Sequence, residues 1–201
     1  MALNDIETVY QQRSSIACGA AAAVNVLRVF GTISVDNSKE NAAAEDTAFK
    51  RTRTTKVADW LGSTPQKVMK YVMECLDEAG AKFDVFLTED AVADYKSMDG
   101  LVNVSMYSSL RKTLAKRGDL QTKSSFTDDD VIVRFLDIGG NVTGHFVVQT
   151  NFDQKCQFLD SGRPGLRERK LIKDSFEAFL EATAYKKYKC TDINVGLTVL
   201  A

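Results

Sequence analysis

The chain has 201 residues, with 26 basic and 27 acidic side chains, four cysteines, two prolines and one histidine. A net charge of -1 argues against recruitment of nucleic acid or an anionic membrane by overall charge, and a lone histidine excludes any site that needs two, such as a His-rich catalytic zinc centre. Apolar residues at 44% and charged residues at 26% match an ordinary globular chain, long enough to build a substantial core.

Residues 16–31, IACGAAAAVNVLRVFG, predict a buried helix, with Ser14 and Ser15 offering N-caps and Gly31 a stop. Residues 32–56 are polar and Ala-rich and read as a connecting segment with one short helix, ending in a basic run at Lys50, Arg51, Arg53 and Lys56. A second helix is expected over 64–80, capped by Thr64, opened by Pro65 and ended by Gly80. Its apolar stripe is Val68, Val72, Cys75 and Leu76, which assigns Cys75 to packing. Residues 82–88 alternate Phe83, Val85 and Leu87 as a strand does, and 107–118 read as a third helix stopped by Gly118. Three short strands follow at 131–138, 144–150 and 156–160, separated by turns at Gly139-Gly140-Asn141 and at 151–155. A last helix over about 173–185 turns Phe176, Phe179 and Leu180 inward, and INVGLTVL closes the chain as a strand. Helices first and an antiparallel meander second give an α+β layout with no evident domain boundary, so residues 1–201 are expected to form a single domain.

The cysteines, Cys18, Cys75, Cys156 and Cys190, are widely spaced and form no C-x-x-C pair, which speaks against structural zinc. Cys190, like Cys75, is assigned to packing. The N-terminal MALNDIETVYQQRSS has no basic stretch leading into an apolar run, and no stretch of about 20 apolar residues occurs. The expectation is a chain without a cleavable signal peptide or a membrane span. It would work in a reducing cytoplasm or be delivered by another route, as some toxins and effectors are.

Cys18 falls in the first turn of the first predicted helix, where unpaired N–H groups and the helix dipole favour a thiolate. Gly19 and the alanines after it permit close packing and close approach of a substrate backbone. The plainer alternative is a small hydrophobe in an Ala-rich core. His145 opens a strand in TGHFVVQT, on the face shared by Val147 and Gln149, and supplies the base that a thiol nucleophile needs. Seen alone, it would be read as an ordinary core or surface histidine. Asp160 ends the following strand. An even-membered hairpin loop centred on Phe152 and Asp153 sets it directly opposite His145, close enough to orient the imidazole. An odd loop sets Ser161 there instead, and the plainer alternative for Asp160 is a strand-ending turn residue before Ser161 and Gly162. Gln12, six residues before Cys18, can turn its amide toward an oxyanion beside the Cys18 backbone N–H, with Gln11 as the near competitor. By strand parity Cys156 shares the Asp160 face, which puts it within range of the site.

Taken together, Gln12, Cys18-Gly19, Gly144-His145-Phe146-Val147-Val148 and Asp160 resemble the papain-like cysteine peptidases. The likeness is greatest to the compact bacteriocin-processing double-glycine peptidases and related stand-alone proteins. It extends in element order from about residue 10 onward, with the motif similarity confined to 12–27 and 144–162. The resemblance implies a helical half carrying Gln12 and Cys18 packed on an antiparallel sheet carrying His145 and Asp160. It also implies a thiolate–imidazolium pair, an acyl-enzyme, a protein or peptide substrate, and no metal or cofactor. Two positions depart from the pattern: Ala20 stands where the relatives usually have proline after Cys-Gly, and Ser161 where they often have proline after the aspartate. No transporter segments follow, so an exporter-fused leader peptidase is not expected.

The same triad can deamidate glutamine or transfer an acyl group to another acceptor, and a catalytically inactive scaffold of this fold would bind a partner instead. Other motifs weigh less. GGNVTGH (139–145) mimics a phosphate loop but has His145 where lysine is needed. Asn103-Val-Ser105 and Asn141-Val-Thr143 are formal glycosylation sequons, relevant only on secretion. No G-x-S-x-G elbow occurs. The basic run at 50–56 and the cluster Arg163, Arg167, Arg169 and Lys170 read as solvated faces or contacts for an acidic substrate segment.

Overall fold

A computed structural model describes residues 2–53, 62–89, 101–137, 144–162, 169–183 and 193–200. Helix α1 (Cys18–Val29) is buried along its entire length. Its alanines make this possible, because a helix with short side chains lets α2 (Ser38–Thr52), α3 (Pro65–Glu78) and the sheet close in around it. At Gly19 the approach is so close that a Cβ would stand 2.5 Å from the Ser63 Cβ. The stop is as expected, with Gly31 at φ +69° just beyond the Phe30 cap. The start is not. Neither Ser14 nor Ser15 caps the helix: Ala17 occupies the N-cap with no side-chain hydrogen bond, and the Ala17 N–H closes a turn on the Ser14 carbonyl at 3.2 Å.

Helix α3 follows its sequence signals, with the Thr64 side chain accepting from the Lys67 N–H, Pro65 in the first turn and Gly80 at φ +71° after the end. Cys75 packs half-buried against the core, as its place on the stripe implied. Helix α2, in contrast, is a full 15-residue helix where only a short one was expected. Its buried positions are Asn41, Glu45, Ala48 and Thr52. They keep helical spacing but are mostly polar, so no apolar period announces them.

Strand β1 (Phe83–Thr88) is followed by α4 (Leu101–Leu114), which begins six residues earlier than its apolar pattern indicated, and a 3-10 turn (Ala115–Arg117) before Gly118. Then come β2 (Gln121–Lys123), β3 (Asp130–Asp137), β4 (Gly144–Phe152), β5 (Lys155–Asp160), β6 (Arg169–Lys173), α5 (Phe176–Glu181) and β7 (Ile193–Val199). Among the described residues, seven strands form one sheet in the order β2-β1-β7-β3-β4-β5-β6. The fold is α+β, with the helical layer first in the chain. The sheet is mixed: β1 and β2 pair in parallel, and the remaining neighbours are antiparallel. The meander β3-β4-β5 was legible, whereas β2 and β6 were not. The final helix is shorter than expected, because Lys173 belongs to β6 and Ser175 caps α5. The turn expected at Gly139-Gly140-Asn141 and the position of Cys190 lie outside the described residues.

Strand alternation splits the core in two. Phe146, Val148, Leu159, Val131, Val133 and Leu197 face α1 and α3. Leu136, Val147 and Phe158 face Phe176 and Phe179 of α5; the Phe179 ring stacks on Phe158 and the Phe176 ring lies tilted to it. Far along the sheet, the Phe86 ring lies across Gly196, where a Cβ would fall 1.9 Å from its Cζ. That closeness accounts for a glycine in mid-strand.

Candidate functional site

The β4–β5 hairpin turns on two residues, Asp153 (φ 48°) and Gln154 (φ 62°), both left-handed as a type I′ turn requires. The loop is even-membered, but it is centred one residue later than predicted. Val147 rather than His145 therefore stands opposite Asp160. A two-residue offset preserves parity, so His145 and Asp160 still share a face, as diagonal neighbours. Their side chains span that diagonal: His145 Nε2–H donates to Asp160 Oδ1 at 2.7 Å. The same oxygen accepts the Gly162 N–H at 2.9 Å, which fixes the carboxylate against the turn that follows β5. Gly162, at φ +70°, supplies that turn.

Cys18 also hydrogen-bonds the His145 side chain, and with Nε2 committed to Asp160 the ring nitrogen left for it is Nδ1. Cys18 is the first residue of α1, and no side chain caps the helix ahead of it. Helix α1 packs on β4 and touches β5, the strands that carry His145 and Asp160. Cys18, His145 and Asp160 are buried, with His145 only 1% exposed. Burial is the largest influence on the imidazole and pushes its pKa down. The hydrogen bonds to Asp160 and Cys18, together with the negative charges on both, outweigh it, and the pKa is pushed up from 6.5 to about 9.

Gln12 is buried at the same place, whereas its competitor Gln11 is exposed. The Gln12 backbone N–H donates to the Ser161 carbonyl at 3.2 Å, and Ser161 Oγ donates to Gln12 Oε1 at 3.3 Å. Gln12 Nε2 donates to the Ser14 carbonyl at 2.8 Å, the same oxygen that accepts from Ala17, the residue before Cys18. These contacts fix the amide orientation, since a flipped amide would set two carbonyl oxygens against each other. One N–H of Nε2 serves Ser14, and the amide group carries a second.

Sequence reasoning missed several residues. Ser161, buried between Gln12 and Asp160, was read as a departure from a proline and as the residue an odd hairpin loop would set opposite His145, not as a partner of Gln12. Asn25 and Glu45, which hold the Gln12 segment, carry no motif. Cys156 shares the expected face but sits four residues, roughly 13 Å, back along β5 from Asp160. Its contacts are Gln149 Nε2 at 3.5 Å and the Asp174 carbonyl at 3.9 Å, so it belongs to the α5 side of the hairpin. Burial pushes its thiol pKa up, as it does for Cys75. Among the described residues, Cys18, Cys75 and Cys156 form no disulfide with one another. Among the described residues no group of three or more His, Cys, Asp or Glu side chains is placed to hold a metal ion, and no helix is long and apolar enough to cross a membrane.

The chain matches no protein-family model, and no curated protein is significantly similar to it. Among solved structures it is similar to an N-acetylmuramoyl-L-alanine amidase from Bacteroides uniformis ATCC 8492, at 9% sequence identity and a TM-score of 0.32, with 91% of this chain and 81% of that chain covered.

Proposed function

We propose that residues 1–201 form one papain-like domain, a cysteine hydrolase that cleaves a peptide or isopeptide bond in a protein or peptide substrate. The observation that carries this reading is the single histidine, held by Asp160 at 2.7 Å on one nitrogen and hydrogen-bonded to Cys18, at a helix N-terminus, on the other. In this mechanism the thiol proton resides on His145, and the Cys18 sulfur attacks the substrate carbonyl. The carbonyl π-bond opens to an oxyanion, stabilised by the Gln12 amide beside the backbone N–H of Cys18. Collapse of that intermediate breaks the C–N bond. His145 gives its proton to the leaving amine, and a thioester remains on Cys18. Neutral His145 then takes a proton from water as the water attacks the thioester. The acid product leaves, and the thiolate–imidazolium pair is restored. Asp160 holds the ring and stabilises its charge throughout.

The thioester also serves glutamine deamidation or transfer to another acceptor, so the test must read the product. Cells expressing the wild type are compared with cells expressing Cys18→Ser, mapping new protein termini and modified glutamines. New termini that depend on Cys18 are the expected result. Glutamine converted to glutamate without cleavage would make the protein a deamidase, and no change in either would leave a binding module.

A further inference from the structure

Glu45 takes no part in the chemistry above, yet its contacts lie on the segment that carries Gln12. It sits on α2 with 2% of its surface exposed. Its Oε1 accepts the backbone N–H of Arg13 at 3.0 Å. Its Oε2 accepts the Tyr10 hydroxyl at 3.1 Å and the Nε–H of Arg13. The contacts thus fall on both sides of Gln12. A buried carboxylate is costly unless donors surround it, and all three of these donors come from the strip 10–13. The strip is pinned from α1 as well. Asn25 Oδ1 accepts the Tyr10 N–H at 2.9 Å, and Asn25 Nδ2 donates to the Tyr10 carbonyl at 3.2 Å. Asn25 lies two turns along α1 from Cys18, on the same helix face. Nucleophile and amide donor are thereby referenced to one helix.

We propose that Glu45 is a positioning residue that fixes the backbone of residues 10–13 so that the Gln12 amide stands where the oxyanion forms. The proposal rests on the reading of Cys18 and Gln12 given above. It separates two reactions of the same sulfur. Iodoacetamide forms a C–S bond and expels iodide at a saturated carbon, so no oxyanion arises. p-Nitrophenyl acetate acylates the sulfur through a tetrahedral oxyanion and expels p-nitrophenolate.

Both rates are measured on the full chain with Cys75, Cys156 and Cys190 replaced by alanine. Glu45→Gln and Glu45→Ala should keep alkylation within about twofold of the parent and slow acylation by roughly tenfold to a hundredfold, approaching Gln12→Ala. The double variant Gln12→Ala/Glu45→Ala should acylate no more slowly than Gln12→Ala alone. Where Glu45→Ala does not fold, Glu45→Gln, which keeps an acceptor for the Arg13 N–H, and Tyr10→Phe, which removes one hydroxyl, carry the comparison. Equal slowing of both reactions by Glu45→Gln would show a merely structural role and overturn the proposal. Unchanged acylation in the Glu45 variants, with Gln12→Ala slow, overturns it while sparing Gln12. Unchanged acylation in Gln12→Ala removes the oxyanion role on which it stands. Parent alkylation no faster than that of a free cysteine, and indifferent to His145→Ala, sinks the Cys-His reading itself.

Discussion

His145 is held between Asp160 and Cys18, whose hydrogen bonds and electrostatic interactions outweigh its burial, and that sets its pH behaviour. Its pKa in the folded chain, about 9, lies above the ordinary 6.5. The stabilisation from this group is therefore complete below pH 6.5 and is lost as pH rises toward 9, because the folded state holds a proton that the unfolded state has released. Urea unfolding should show stability declining across that window, with a His145 share on the order of 1–3 kcal/mol, and the share should vanish in His145→Gln. The alkaline limb of the proposed amide-bond cleavage, which needs the His145 proton for the leaving amine, should likewise fall near pH 9. In Asp160→Asn, which keeps an oxygen acceptor but removes the charge, that limb is expected to move down toward 6.5. An unmoved limb would mean that Asp160 does not charge-stabilise the ring.

At the scale of elements, what the sequence revealed depended on whether a segment's burial was apolar. Helix α3 was legible at both ends because Thr64, Pro65 and Gly80 act through local backbone chemistry. Helix α2 was not, because its inner face buries Asn41, Glu45 and Thr52. Strand β2 is three residues long, and β6 is an Arg- and Lys-bearing edge strand, so neither shows alternation. Cys18, His145 and Asp160 were legible through spacing and order. The partners that hold Gln12 and its strip in place, Ser161, Asn25 and Glu45, were not, since only tertiary folding gives those residue types a task. The hairpin register was misjudged because both candidate turns are even-membered, and Asp153-Gln154 lacks the glycine that usually marks a type I′ turn. Gly196, in mid-strand, makes a prediction of its own. Gly196→Ala should lower stability by about 1–3 kcal/mol through its clash with Phe86. Combining it with Phe86→Ala should cost less than the sum of the two single changes, as a double-mutant cycle in urea would show.

Across the whole molecule, the first residues act as a strap between the helical layer and the far strands. Asn4 bonds the Val29 and Arg28 carbonyls at the end of α1, Ile6 and Val9 enter the core, Asp5 pairs with Lys170 of β6, and Gln12 meets Ser161 after β5. The interior and exterior parts of this strap differ in weight. Ile6→Ala, at a site 1% exposed, should cost roughly 2–4 kcal/mol in urea unfolding. Because the strap leads into Gln12, it should also slow acylation of Cys18 more than alkylation. Lys170→Ala removes a peripheral ion pair and should change stability by less than about 1 kcal/mol.

The diagonal placement of Asp160 has a spectroscopic consequence. Across the two-residue offset the carboxylate engages Nε2, which leaves Nδ1 for the sulfur. Whenever the ring is neutral, its proton is therefore on Nε2 and its lone pair on Nδ1. With one histidine in the chain, imidazole 15N labelling gives a single pair of ring signals that needs no assignment by mutation. In Cys18→Ala titrated to high pH, the nitrogen that keeps its hydrogen should be Nε2, and the pattern of the opposite tautomer would refute the geometry of the hairpin.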